Sequence, residues 1–378
     1  MKKYKTVILK NRRRIFQLII QRILHFAKRI QLNKENIKFT SHCLFIIVTA
    51  CCFFTARLVE AQKPLPQESG FSGYIELLGA YISSNSQLNT DSENKKTDSL
   101  DKSGERVDKV RPLPLGLIAY TFADIRTQFF LGVLPENVVQ GQFQVEAGVS
   151  HDLSDGTRLR AAAIPITPFN EETWEDPFVV GQNRKKTDIT SYGVKLAAEK
   201  IWGSGANLKY RWIRRKIDDE KSGTFLLSQP GSSITPEDLD DLRRDSNSHR
   251  LSAEYSFELM PQMRLKPILR YTREDAKGNA NSFHALTAQM SLLYFGDRFQ
   301  AVVNAVVKGE WYDDAHPVFD KTRRDYNLGL FAILGYKDPL GLKNFRIDWF
   351  NACFVSNSNI DFYESTNYLT ALGIAYDF

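Results

Sequence analysis

Fourteen stretches of this sequence alternate apolar and polar residues with a period of two, and the connections between them alternate in length. The stretches are 71–83, 112–122, 126–134, 139–150, 157–167, 188–201, 206–217, 248–258, 263–273, 283–295, 298–312, 325–337, 343–356 and 367–378. A period of two places successive side chains on opposite faces of a strand. In "VQGQFQVEAGVS", the plainest case, Val139, Gly141, Phe143, Val145, Ala147 and Val149 face one way. Gln140, Gln142, Gln144 and Glu146 face the other. After the even-numbered stretches come turns such as "GSG" and "MPQ"; after the odd-numbered ones come the polar connections 84–111, 168–187, 218–247, 274–282, 313–324 and 357–366. Only "PENV", 135–138, is short where a long loop is due. Short turns on one rim, long loops on the other and an even strand count are the pattern of an outer-membrane barrel. The expected fold is all-β: a transmembrane, antiparallel, up-and-down β-barrel of about 14 strands, with about 12 as the alternative count.

Aromatic residues gather at both ends of the stretches. Phe71, Phe122, Trp202, Tyr294, Phe299, Tyr336, Phe345, Tyr376 and Phe378 lie near short turns, and Tyr81, Tyr192, Trp212, Tyr271, Trp311, Tyr326 and Tyr368 near long loops. Two belts match the two membrane interfaces, where a ring sets an apolar body beside a polar edge. The chain stops on "GIAYDF". A closed barrel has no edge, so this last strand is expected to pair with the first, 71–81. Gly373, Tyr376 and Phe378 resemble the C-terminal assembly signal of outer-membrane barrels, which implies handling by the barrel assembly machinery and periplasmic chaperones.

The overall net charge of +6 mixes two unlike objects. Of the 50 Lys and Arg, 13 lie in residues 1–61, which hold only Glu35 and Glu60 as acids; the remainder has 37 basic and 42 acidic residues, a net of −5. The basic character belongs to the leader, so no nucleic-acid partner is expected. "CLFIIVTACCFFTA" (43–56) reads as the apolar core of an export signal, too short for a transmembrane helix. "VEA" (59–61) places cleavage after Ala61; the rival is a lipoprotein site before Cys51. Residues 11–32 form a basic amphipathic pattern, for which a start codon further downstream is the plainer explanation. The domains are thus a leader, 1–61, and an outer-membrane barrel, 62–378, with long loops 84–111, 168–187 and 218–247. About nine residues between Gln62 and the first strand are too few for an N-terminal plug. Three of the four cysteines fall in the leader, so Cys353 has no internal disulfide partner and no cysteine-based metal site is expected.

Several stretches resemble one uncharacterised family of Gram-negative outer-membrane proteins, the domain of unknown function twenty-eight sixty. They are "FSGYIELLGAYISSNSQLN", "RPLPLGLIAYTF", "FFLGVLPENVVQGQF", "WEDPFVVGQNRKKTDI" and "IDDEKSG". The resemblance spans residues 62–378 almost entirely. It implies a barrel and assigns no activity and no functional residues.

The inward faces read as strongly polar. Candidate lumen-lining residues are Arg158, Arg160, Lys195, Glu199, Lys209 and Arg211, followed by Arg250, Glu254, Glu258, Arg264, Lys266 and Arg270, with Lys308 and Glu310 beyond. Opposite charges on neighbouring strands predict ladders of ion pairs. Basic residues outnumber acids there, so an open pore should favour anions modestly. The expected function is a porin-like channel for passive or selective diffusion of small polar solutes or ions. The alternative is a structural or surface-interaction protein with a plugged lumen, and a third reading is a hydrolase at the outer rim. Whereas His249 and His284 have no evident serine partner, Asp313, Asp314, His316 and Asp320 share one connection and could in principle serve rim catalysis. They lack a specified second acidic pair, so no enzyme is expected. No cofactor or metal motif is present. In "SITPEDLDDLRR", Thr235 as N-cap, Pro236 and the acids after it predict a short helix within 218–247. Trp174 and Phe178 in "TWEDPFVVGQ" are expected to pack against a neighbouring loop.

Overall fold

Alternating apolar residues with β-branched and aromatic neighbours favour extended backbone, and each such run here hydrogen-bonds to the next in sequence. The computed structural model describes residues 65–165 and 171–378. The leader and its cleavage sites lie outside the described residues. Fourteen strands result: β1 Gly70–Ser84, β2 Val107–Phe122, β3 Thr127–Gly132, β4 Glu146–Asp152, β5 Arg158–Ile164, β6 Lys186–Glu199 and β7 Ala206–Ile217. They continue with β8 Ser246–Tyr255, β9 Met263–Ala276, β10 Phe283–Phe295, β11 Phe299–His316, β12 Lys321–Lys337, β13 Phe345–Ser358 and β14 Ser365–Asp377. Two short segments extend barrel strands. Glu171–Trp174 continues β5 along β6, and Phe257–Met260 continues β8 along β9.

The sheet closes where the C-terminal strand meets the N-terminal one. β14 runs antiparallel to β1 with Tyr74 opposite Asp377 and Leu78 opposite Gly373. Gly73 and Phe378 exchange backbone hydrogen bonds of 2.8 and 3.0 Å, so the last residue completes the seam. The final strand therefore has no unpaired edge toward lipid.

The outer face is apolar, with Ile75, Leu77, Leu131, Leu196, Leu269 and Leu372 among its exposed side chains. Phe71, Trp202, Phe299 and Phe378 are exposed at the short-turn rim; Tyr81, Tyr192, Tyr271, Trp311 and Tyr326 are exposed at the other. These are the two belts. His249 and His284 accompany the outer belt and bond the hydroxyls of Tyr210 and Tyr271 at 2.8 and 2.6 Å.

The stretch 139–150 is the chief departure from the sequence reading. Only Glu146–Asp152 is strand; residues 133–145 leave the wall after β3 and cross the lumen, beginning with helix α1, Pro135–Val138. Two glycines permit this path. At Gly132, a Cβ would lie 2.2 Å from the Gly116 carbonyl oxygen, and Gly141 has φ +74°. "PENV" is therefore not a short outer turn but the start of an inserted loop.

The other outer loops pack together. Phe178, Leu242, Ile360 and Phe362 form a buried cluster against Leu100, Leu226, Val318 and Phe319, joining five connections on the long-loop rim. Helix α2, Thr224–Leu227, and helix α3, Pro236–Asp241, belong to this cap. Thr235 caps α3 in a reciprocal capping box with Asp238. Trp174 and Phe178 are both buried in the cap, and the Trp174 indole donates to the Gln87 carbonyl at 3.1 Å. The 313–324 connection proves to be mostly strand, since β11 and β12 run on to His316 and Lys321.

Candidate functional site

The inner wall divides into two unlike halves. On β1, β2 and β11–β13 it carries Tyr74, Leu78, Leu115, Val302, Phe331, Ile333 and Phe350, all buried. On β5–β9 it carries the charged residues expected from the sequence. The expectation of a uniformly polar lumen thus fails for one side of the barrel. The inserted loop reconciles the two halves, because its own alternation presents opposite characters to them. Val133, Val138, Val139, Phe143 and Val145 pack on the apolar side, with Phe143 near Phe331 and Phe350 at ring separations of 6.2 and 6.3 Å. Glu136, Asn137, Gln140, Gln144 and Glu146 meet the charged side.

Side-chain bonds pin this loop at both faces. The Tyr74 hydroxyl donates to the Val133 carbonyl at 2.8 Å, and the Asn304 amide donates to the Val139 carbonyl at 2.7 Å. Across the lumen, Lys195 donates to Asn137 at 3.0 Å and to Glu146 at 2.9 Å. Arg160 pairs with Glu136. Arg211 donates to the Gln144 side-chain oxygen at 2.6 Å, and Arg270 to that of Gln140 at 2.9 Å.

The ion pairs form a nearly self-contained network. Lys209 and Lys266 hold Glu254 at 3.1 and 2.7 Å, Lys209 also approaches Glu199 at 3.5 Å, and Arg160 lies 3.4 Å from Glu199. Arg158 pairs with Asp152 at 2.6 Å. Burying such charges costs desolvation that each pair offsets only while both members remain. Arg158, Arg160, Lys209 and Lys266 therefore add little uncompensated charge, contrary to the count made from the sequence. Glu258 and Arg264 oppose each other at the short-turn mouth, where Glu258 is exposed. Lys308 and Glu310 pair at 2.7 Å towards the outer end of β11. Gly373, Tyr376 and Phe378 lie in the seam strand and its last residue.

Three arginines stand apart. Arg211 and Arg250 are direct partners across β7 and β8, and Arg270 stands opposite Ser252. With Gln140, Gln142 and Glu254 they line a cavity of about 20 Å³ between the inserted loop and the wall. A wider concavity, about 480 Å³, is elsewhere: Val149, Leu159, Leu196, Leu208 and Leu251 shape it on the lipid-facing surface. The inserted loop and its glutamines escaped the sequence reading because their alternation is also that of a strand.

His316 does not join the carboxylates near it in sequence. It is buried in the cap, accepts from the Val318 amide at 3.3 Å and bonds the Tyr363 hydroxyl at 2.9 Å. Asp313 instead meets Arg273 at 2.7 Å. Burial, with the Arg323 charge nearby, pulls the His316 imidazole down to about 3, so the ring is neutral in this setting. Among the described residues no cluster of His, Cys, Asp and Glu is arranged to hold a metal ion.

A closed wall of fourteen strands, an apolar outer band between aromatic belts and a charged interior crossed by one loop define a porin-like outer-membrane β-barrel. The chain belongs to the family described as "Protein of unknown function (DUF2860)", whose model matches residues 70–377. No curated protein matches it. Among solved structures it is similar to the outer membrane channel DcaP of Acinetobacter baumannii: 11% identity, TM-score 0.40, 82% of this chain and 97% of that one. A loop-deletion mutant of OmpT, an outer membrane protein of Vibrio cholerae, shares 8% identity with TM-score 0.39, over 82% and 99% of the two chains. OccAB4 of Acinetobacter baumannii shares 12% identity with TM-score 0.35, over 83% and 99%.

Proposed function

We propose that this protein is a diffusion channel for small polar solutes or ions, selective for anions at a constriction made by residues 133–145. The observation that carries this reading is the guanidinium excess beside the inserted loop. Arg211, Arg250 and Arg270 make no ion pair among the described residues, while the neighbouring carboxylates are already engaged. Charged side chains at a narrow point set the sign of the ion that passes. The channel belongs in the outer membrane of a Gram-negative bacterium, with lipid around its apolar band. Export by a leader cleaved after Ala61, delivery by periplasmic chaperones and insertion by the barrel assembly machinery complete this reading; the reading includes no catalytic step. Single-channel recording of the purified barrel in a planar bilayer tests it: discrete steps are expected, with a reversal potential in a salt gradient that favours anions.

A second reading, a surface protein with an occluded lumen, draws on the outer cap, where five loops share the cluster around Phe178 and Phe362. A folded, inserted barrel that never conducts would favour it.

A further inference from the structure

Arg211 and Arg250 are paired directly on the inner face of β7 and β8. Like charges in this relation repel, and ordinarily destabilise a sheet. One step along, Arg270 faces Ser252 on β8, so a third guanidinium reaches the same space. Around them the network balances: Arg160, Lys195, Lys209 and Lys266 match Glu136, Glu146, Glu199 and Glu254. Glu274, the next carboxylate outward, bonds Ser246 at 2.5 Å and lies 3.8 Å from Arg215. Among the described residues none of the three arginines has a carboxylate within ion-pair distance, although Glu254 borders the same cavity.

Their hydrogen bonds go to neutral groups. Arg211 donates to Gln144, Arg250 to the Thr272 hydroxyl at 3.2 Å, and Arg270 to Gln289 at 2.7 Å and Gln140 at 2.9 Å. Each guanidinium carries five N–H donors in a planar fork, so most of roughly fifteen donors are left over. The cavity between them, about 20 Å³, has the size of a single water site. Guanidinium forks match two oxygens of one oxyanion better than they match a spherical ion.

We propose that Arg211, Arg250 and Arg270, beside Gln140 and Gln142 of the inserted loop, form a binding site for a compact oxyanion such as phosphate or a small carboxylate. Its use by solute in transit rests on the channel reading; the binding itself does not. A bound oxyanion turns the Arg211–Arg250 repulsion into two attractions, which explains why the pair is tolerated.

The test is calorimetric titration of inorganic phosphate into the intact detergent-solubilised barrel at low ionic strength in a zwitterionic buffer, with acetate and chloride titrated separately. Saturable phosphate binding is expected, weaker by at least about tenfold in Arg250→Gln and in Arg211→Gln, and unchanged in Lys186→Gln at the outer rim. Heat-modifiable migration verifies that each variant is folded, and two variants guard against one that is not. Acetate binding with chloride silent supports the oxyanion site; chloride binding as tightly as phosphate overturns it. Equal phosphate affinity in wild type and both variants also overturns it. Planar-bilayer recordings on the same samples separate the two readings. Binding without conductance keeps the site and removes the channel, whereas conductance without saturable binding keeps the channel and removes the site.

Discussion

Arg211 and Arg250 oppose each other across β7 and β8, both turned into the lumen, and neither makes an ion pair among the described residues. Arg250→Gln should therefore stabilise the anion-free barrel by about 0.2–1 kcal/mol, the size of one cross-strand pair. The gain should shrink when phosphate is added, because the anion stabilises only the arginine pair. Denaturant unfolding in lipid vesicles, with and without phosphate, measures both effects; a loss of stability in the anion-free state would contradict the repulsion argument.

Glu254 presents the opposite case. It is buried between Lys209 and Lys266 and also accepts from Gln140. Glu254→Gln leaves two buried ammonium groups with one fewer partner, an arrangement that typically costs about 3–5 kcal/mol. The same unfolding assay should report it, and anion selectivity should rise in bilayer recordings as a negative charge leaves the constriction.

On the channel reading, the inserted loop sets the narrowest passage. Replacing residues 134–144 by a short Gly-Ser turn should raise single-channel conductance several-fold and weaken ion preference. Phe143→Ala should show a smaller change in the same direction, since that ring holds the loop on Phe331 and Phe350. Unchanged conductance in the loop replacement would place the constriction elsewhere.

His316 gives the outer cap a pH dependence with a definite sign. Its imidazole titrates near 6.5 when exposed, but burial holds it down to about 3 in the cap. The unfolded cap thus binds the proton more readily, so cap stability is full above about pH 6.5 and falls as pH drops towards the folded value. Taken alone, His316 should raise the opening equilibrium by about two orders of magnitude from pH 7 to pH 4. Asp176, raised by burial in the same cap, opposes this change in the interval above its ordinary carboxylate value. Hydrogen exchange at the Val318 and Phe319 amides checks this, and His316→Gln should flatten the profile.

The seam can be tested by shortening it. Removing Tyr376–Phe378 deletes the pairing of Tyr376 with Ile75 and of Asp377 with Tyr74, and the Gly73–Phe378 bonds. Heat-modifiable barrel in the membrane fraction should fall at least about tenfold, because an open edge exposes unsatisfied backbone to lipid. Normal assembly would mean that the terminal residues are dispensable.

Much of the fold was legible in the sequence because strand period, turn length and aromatic position are local properties. The strand at "GIAYDF", the two belts and the cap on helix α3 at Thr235 follow from neighbours in the chain, and pairing of that strand with 71–81 follows from the rule that a closed barrel leaves no edge. The fate of residues 139–145 does not. Alternation says that two faces differ, yet it does not say whether those faces meet lipid and water or two unlike walls of one lumen. Val139 and Phe143 could have continued a strand; contact with Phe331 and Phe350, about two hundred residues away, decided otherwise. The same limit applies to charge. Sequence alone showed that basic residues line the wall, while cross-strand register decided that Arg160, Lys209 and Lys266 find carboxylates and that Arg211 meets Arg250. Register is a relation between strands, set by closure of the whole barrel, and a shift of one residue would turn each of these side chains to the lipid.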